Sequence, residues 1–170
     1  RQLTFHVPLD ADFDALAVPY RAVVTDFATG DPVALSSGDL VQAMLASMAV
    51  PGAFQPREID GALYVDGGMA AQLPVQMAQA MGADIIIAID TTVEPPAPTA
   101  SPSMADTLQQ LIRVSVWRNR QEDVARLDGD DLLLSPSLEG LSTTTFERAS
   151  RGVAAGEQEA RRHETRLRAI

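Results

Sequence analysis

The sequence contains no cysteine. Disulfide bridges, thiol nucleophiles and thiolate metal sites are therefore excluded within these residues, and the redox compartment is left undetermined. Histidine is almost as scarce: His6 and His163 are the two in the sequence, and they stand far apart in no ligand-like spacing. We therefore predict a protein that uses neither a metal nor another cofactor.

Lysine is also absent, so all 13 basic residues are arginines, and they face 23 acidic residues for a formal net charge of −10. This balance argues against a nucleic-acid partner, whose phosphates need a basic face. It also disfavours tight electrostatic adhesion to anionic lipid, although a local basic patch would still allow peripheral contact with a membrane or lipid interface. No apolar run approaches the roughly 20 residues of a transmembrane helix.

What the chain does have is 46% hydrophobic residues, enough to enclose the core of one domain or the larger part of one. Short apolar runs alternate with amphipathic helical patterns, an order typical of layered α/β proteins. We predict a three-layer α/β/α fold with a mainly parallel central sheet. Its strands are expected near Tyr20 to Asp26, Leu63 to Val65 and Ile85 to Asp90.

Several local patterns refine this order. A hairpin is predicted from the strand ending at Asp26, whose carboxylate suits the bend, into a second strand at Pro32 to Leu35. A helix follows from about Leu40 to Met48, with Ser37 or Asp39 as its cap. The later expectations are a proline-rich surface connection over 91–103, a helix over 104–127, a strand over 132–134, and a last helix that opens at a Thr144–Glu147 capping box and runs to about Arg168.

The most informative stretch is Leu63 to Asp90. A short apolar strand delivers the carboxylate of Asp66 onto a turn that Gly67 and Gly68 allow to take backbone angles closed to other residues. Pro74 suits the first turn of the helix that follows, and Gly82 suits its end before the next apolar strand. This strand, loop, helix and strand order predicts that the two strands are parallel neighbours.

Four motifs in this region occur together at a characteristic spacing: Asp26-Phe27-x-x-Gly30, Ala46-Ser47-x-x-x-Pro51-Gly52-x-Phe54, Asp66-Gly67-Gly68 and Gly82-Ala83-Asp84. Asp-Gly-Gly alone is a weak signal, but the combination is strong. It resembles the second half of a patatin-like phospholipase domain of the bacterial type, and the resemblance covers most of Val18 to Asp90.

The resemblance implies a lipid acyl hydrolase of the phospholipase A or esterase type. Members of the family use a Ser–Asp dyad with no histidine, and glycine N–H groups form the oxyanion hole. By position, Asp66 matches the dyad aspartate, which takes the proton of the serine as it attacks a fatty acyl ester or phospholipid. Gly67 and Gly68 form the loop of the site. Gln72 stands where the family usually has asparagine.

The nucleophile is not found in this sequence. Neither Gly-x-Ser-x-Gly nor the glycine-rich oxyanion loop, which precede this region in the family, occurs between Arg1 and Ile170. Ser47 lacks the flanking glycines of Gly-x-Ser-x-Gly that hold a nucleophilic serine on a tight turn, and its counterpart in the family is not the nucleophile. We therefore expect residues 1–170 to be the carboxyl-side part of a single patatin-like domain, inactive alone, whose partner is the missing amino-side half.

That expectation has structural consequences. An exposed strand edge and an apolar hollow should lie beside Asp66, with no serine hydroxyl of this chain within hydrogen-bond reach of it.

Two other functions stay open. A non-catalytic lipid-binding or protein-binding module derived from the patatin fold would also lack the serine. A nucleotide-binding α/β domain is the weakest alternative, because the sequence has neither Gly-x-Gly-x-x-Gly nor Gly-x-x-x-x-Gly-Lys.

Overall fold

The structure is a computed structural model that describes residues 8–97, 100–138, 140–141 and 149–170. Within these ranges the chain forms strands, α-helices and two short 3₁₀ turns. The strands are β1 (Ala11–Asp12), β2 (Ala22–Asp26), β3 (Pro32–Leu35), β4 (Ser37–Gly38), β5 (Arg57–Ile59), β6 (Ala62–Asp66), β7 (Ile87–Ile89) and β8 (Leu132–Leu134). The helices are α1 (Leu40–Ser47), α2 (Val75–Ala80), α3 (Met104–Val124), α4 (Ala149–Arg162) and α5 (Glu164–Leu167), and the 3₁₀ turns are Phe13–Ala15 and Gly67–Met69.

The predicted hairpin is confirmed as β2 and β3, which pair antiparallel with Val24 opposite Val33. Its bend is held by the Asp26 carboxylate, which accepts hydrogen bonds from the N–H groups of Ala28 at 2.8 Å and Thr29 at 3.0 Å. Asp26 is therefore committed to the turn, as such carboxylates commonly are.

The largest sheet has four strands in the order β3-β2-β6-β5, and all neighbours in it are antiparallel. The mixed α/β class is thus confirmed, but the prediction of a mainly parallel sheet is wrong for these strands. A parallel pair is found between β7 and β8, which form a separate sheet with Ile87 opposite Leu132.

The predicted parallel pairing of β6 with β7 is also wrong, for a physical reason. Strand β6 has β2 on one edge and β5 on the other, so both rows of its backbone groups are already paired. The β5–β6 connection is a tight turn with positive φ at Asp60 (51°) and Gly61 (82°), which suits a two-residue antiparallel hairpin. No edge of β6 is left for β7.

Helix α1 covers the four-stranded sheet. The Asp39 carboxylate caps its start by accepting the N–H groups of Val41 and Gln42, which confirms one of the two caps predicted. The helix buries small side chains, Ala43 and Ala46, and so approaches the sheet closely. Fully buried Phe13 extends this core.

A second core joins α2, β7 and β8 to the end of α3. Its buried members are Leu73, Val75, Ile86 and Ala88, with Val124, Leu127 and Leu133 packed against them. The helix predicted over 104–127 and the strand over 132–134 are confirmed as α3 and β8. Residues 91–97, which follow β7 and precede α3, form neither helix nor strand.

An ion pair anchors α3 to the end of β7. The Arg120 guanidinium lies 2.7 Å from Oδ2 of Asp90, which is only 4% exposed, and packs 5.2 Å from the centre of the Trp117 ring. This ion pair holds α3 in place, and α3 also contacts the loop after β6.

The last predicted helix is found as two pieces, α4 and α5, with His163 between them. The Thr144–Glu147 capping box and His6 lie outside the described residues. Across the described part of the chain, no helix has the length and hydropathy that a membrane crossing requires.

Candidate active site

Asp66 is the last residue of β6, and its backbone is held from two sides. Its N–H donates to the carbonyl of Ala49, just after α1, at 3.0 Å. Its carbonyl accepts a hydrogen bond from the buried hydroxyl of Thr25 on β2 at 2.8 Å. The position of this carboxylate is therefore fixed by the sheet and by the segment that follows α1.

The Asp66 carboxylate is only partly used within the part of the chain that the structure describes. Its Oδ1 accepts the N–H of Gly68 at 2.8 Å, while Oδ2 makes no hydrogen bond with a described residue, and neither oxygen is bonded to a serine hydroxyl. Burial raises the pKa of Asp66, and the Gly68 N–H opposes that shift. A half-buried carboxylate with one oxygen unused can accept a proton.

Gly67 and Gly68 follow Asp66 in a 3₁₀ turn, as the sequence places them, but the reason for glycine differs from the predicted one. Neither has a positive φ. A Cβ at Gly67 would instead collide with the carbonyl of Val23, and one at Gly68 would collide with Oε1 of Gln72 and lie 3.0 Å from Oδ1 of Asp66. Gly67 is therefore required by space, because its neighbour is backbone, whereas at Gly68 the flexible end of Gln72 could move aside.

Helix α3 contacts the same loop with two side chains. Nδ2 of Asn119 donates to the carbonyl of Met69 at 2.6 Å, and the N–H of Leu73 donates to Oδ2 of Asp123 at 2.9 Å. Sequence reasoning missed both residues. Their spacing of four places them on one helix face, but nothing in the sequence indicates a partner 50 residues away.

The other candidates of the sequence do not join this group. Ser47 ends α1 and makes no hydrogen bond to Asp66. Nε2 of His163 lies 3.4 Å from Oε1 of Glu159, four residues earlier in the chain. Among the described residues, no three His, Asp or Glu side chains are grouped as metal ligands would be.

A hollow of about 380 Å³ lies beside the loop, between Ala70, Ala71 and Pro74 on one side and Asn119 and Arg126 on the other. Asp66 does not line this hollow, which is therefore not the apolar hollow predicted next to the carboxylate. The exposed strand edge predicted beside Asp66 is not found on β6, which is paired on both sides. An unpaired edge is instead present on β7, in the other sheet, which pairs within the described residues with β8 alone and leaves Ile87 and Ile89 exposed.

Comparisons with known proteins agree with the resemblance found in the sequence. The family model of the patatin-like phospholipases matches residues 8–78. An uncharacterized NTE family protein of Mycobacterium tuberculosis and one of Mycobacterium bovis are each 37% identical over 103 residues, which is 59% of this chain and 29% of the relative. The match thus spans less than a third of these relatives.

Mammalian proteins match a shorter part. Patatin-like phospholipase domain-containing protein 7 of Mus musculus and protein 6 of Homo sapiens are each 36% identical over 83 residues, which is 48% of this chain and 6% of the relative. These matches confirm the resemblance to patatin-like phospholipases that the motifs indicate.

The close approach at Gly67 gives a first prediction. Gly67→Ala places a methyl group against the Val23 backbone, which cannot move without disturbing β2, and should lower the free energy of unfolding by about 1–3 kcal/mol. Gly129→Ala is the matched control, because a Cβ there meets nothing within 4 Å. Urea titration measures both, and equal stabilities would contradict the assigned packing.

The raised pKa of Asp66 gives a second prediction. A group whose pKa is raised by folding stabilises the folded state below its unfolded pKa, about 3.9 for aspartate, and this stabilisation is lost as the pH rises through the folded pKa. The stability of the wild-type protein minus that of Asp66→Asn should therefore decrease from pH 4 upward. Urea midpoints of the two proteins across this range measure it; a constant or increasing difference would refute the assignment.

Proposed function

We propose that this protein, in which residues 8–78 match the family model of the patatin-like phospholipases, hydrolyses fatty acyl esters, including phospholipids, with Asp66 as the base of a Ser–Asp dyad. The observation that carries the proposal is the geometry of Asp66. Its carboxylate stands at the end of a strand with Oδ1 held by Gly68 and Oδ2 free of bonds to described residues.

This geometry suits general-base catalysis. A serine hydroxyl is a weak nucleophile at neutral pH unless a positioned base takes its proton during attack. Burial makes the Asp66 carboxylate a stronger proton acceptor than one in water, because its pKa is raised. The fixed backbone of Asp66 lowers the entropic cost of bringing base and nucleophile together.

The reaction would proceed by acyl transfer. The serine Oγ attacks the ester carbonyl carbon while Asp66 accepts the serine proton. Negative charge develops on the carbonyl oxygen. The intermediate collapses with departure of the alcohol or lysolipid, which takes the proton back, and the acyl group stays on the serine. A water molecule then gives a proton to Asp66 as it attacks the acyl carbonyl carbon. The bond to the serine Oγ breaks, the fatty acid leaves, and the proton passes from Asp66 to the Oγ.

The serine of the dyad comes from outside residues 1–170, which form the carboxyl-side part of the domain. Two observations support this part of the proposal. The sequence has no Gly-x-Ser-x-Gly segment. The described part of β7 also presents an unpaired edge and exposed apolar residues, such as Ile87 and Ile89, which further chain of the same domain would cover.

A non-catalytic module that binds lipid or protein is the second candidate. It is favoured by one observation, that no serine of the described residues is hydrogen-bonded to Asp66. Such a module would leave Asp66 as a structural residue of the loop, so the two candidates differ in what substitution of Asp66 does.

Asp66→Asn in the complete protein is the test. The amide has the same shape but cannot accept the serine proton, so the kcat for hydrolysis of 4-nitrophenyl butyrate should fall about 10²–10⁴-fold. Asp84→Asn is the matched control, since Asp84 is exposed and its side chain makes no hydrogen bond among the described residues.

Full activity of folded Asp66→Asn would remove Asp66 from the mechanism. A wild-type complete protein that binds phospholipid vesicles without hydrolysing any ester would instead support the binding module.

A further inference from the structure

Two polar side chains of α3 hold the ends of the loop that follows Asp66. Asn119 bonds to the carbonyl of Met69, and Asp123 accepts the N–H of Leu73. Being four residues apart, the two side chains lie one above the other on the same face of the helix. The loop is therefore attached to α3 at two points, one shortly after Asp66 and one just before α2.

The attachment bears on Asp66 through the loop itself. Gly68, whose N–H holds Oδ1 of Asp66, lies directly before Met69, which Asn119 holds. The turn that contains both residues is stabilised by hydrogen bonds from the N–H groups of Ala70 and Ala71 to the carbonyl of Gly67. A shift of Met69 would consequently displace the donor that orients the carboxylate.

The bond to Leu73 is buried, which makes it costly to lose. Asp123 is 8% exposed, and burial raises the pKa of this carboxyl, while the Leu73 N–H and the charge of Arg126 oppose the shift. Without Asp123 the N–H of Leu73 would be left buried and unsatisfied, and such a group costs roughly 1–3 kcal/mol. The loop would have to move to recover a partner.

Helix α3 is a firm reference for this attachment. On the turn between Asn119 and Asp123, Arg120 is paired with buried Asp90 at the end of β7. The face that holds the loop is thus fixed to the second core of the molecule, and a change at Asn119 acts on the loop rather than on the helix.

We propose that Asn119 and Asp123 are positioning residues, which hold the 67–73 loop so that Gly68 keeps the Asp66 carboxylate oriented with Oδ2 toward the serine. The inference rests on the proposed function and extends it beyond residue 78, where the family match ends. Neither side chain bonds to Asp66, so both act through the loop.

Kinetics of the complete protein with 4-nitrophenyl butyrate give the first readout. Asn119→Ala and Asp123→Leu should lower kcat about 10–100-fold with KM changed less than about twofold, because orientation of the base is lost while ester binding is kept. Asp123→Asn retains an oxygen that can accept the Leu73 N–H and should recover most of kcat. Gln121→Ala is the control, an exposed amide on the same helix.

Amide hydrogen exchange gives a second readout that does not depend on activity. Exchange within residues 67–73 should accelerate in Asn119→Ala and not in Gln121→Ala, with the strands β2 and β6 unchanged. If the wild-type protein hydrolyses no ester and this local acceleration is still found, the proposed function fails while the attachment of the loop stands.

The positioning role is overturned by any of three results in folded variants: a kcat equal to that of Gln121→Ala, an acceleration of exchange spread over the whole chain, or failure of Asp123→Asn to recover more kcat than Asp123→Leu.

Discussion

The close packing of Gly67 against the Val23 carbonyl is the constraint on which the candidate site depends. It brings the end of β6 directly onto β2, where the Thr25 hydroxyl also bonds to the carbonyl of Asp66. Strand β2 lies inside the sheet, between β3 and β6, and its Val24 is fully buried. The position of Asp66 is therefore inherited from the core of the sheet, and no flexible loop intervenes.

The same region shows how two separate sheets act on one residue. The four-stranded sheet fixes the backbone of Asp66, whereas the loop that follows is held by α3, which is itself paired with Asp90 at the end of β7. A carboxylate used as a base needs both, since its backbone sets where it stands and the loop sets how it is turned. The helix links the two cores at the point where the chemistry is proposed.

Local patterns predicted much of this fold correctly. The β2–β3 hairpin, the Asp39 cap of α1, helix α3 and strand β8 each follow from residues that lie within a few positions of one another. Asp66 was found in the same way, because a carboxylate between an apolar strand and two glycines is a local signal. The standing of Asp66 as a catalytic base remains a prediction.

What the sequence could not supply depended on distant partners. Strand β5 is only Arg57–Ile59, with no apolar pattern, yet it occupies the edge of β6 on which the predicted parallel sheet relied. Sequence also cannot separate a glycine needed for its backbone angles from one needed for space, and Gly67 is of the second kind. In the sequence, Asn119 and Asp123 look like any other polar residues of a helix. Only the structure places the loop beside them.

The most direct measurement is an experimental structure of the complete protein. The account predicts a serine Oγ, contributed from outside residues 1–170, at about 2.6–3.2 Å from the Asp66 carboxylate, with the Gly68 N–H still on its other oxygen. It would be contradicted by a structure in which a serine of residues 1–170 fills that place, or in which no serine lies within reach of Asp66.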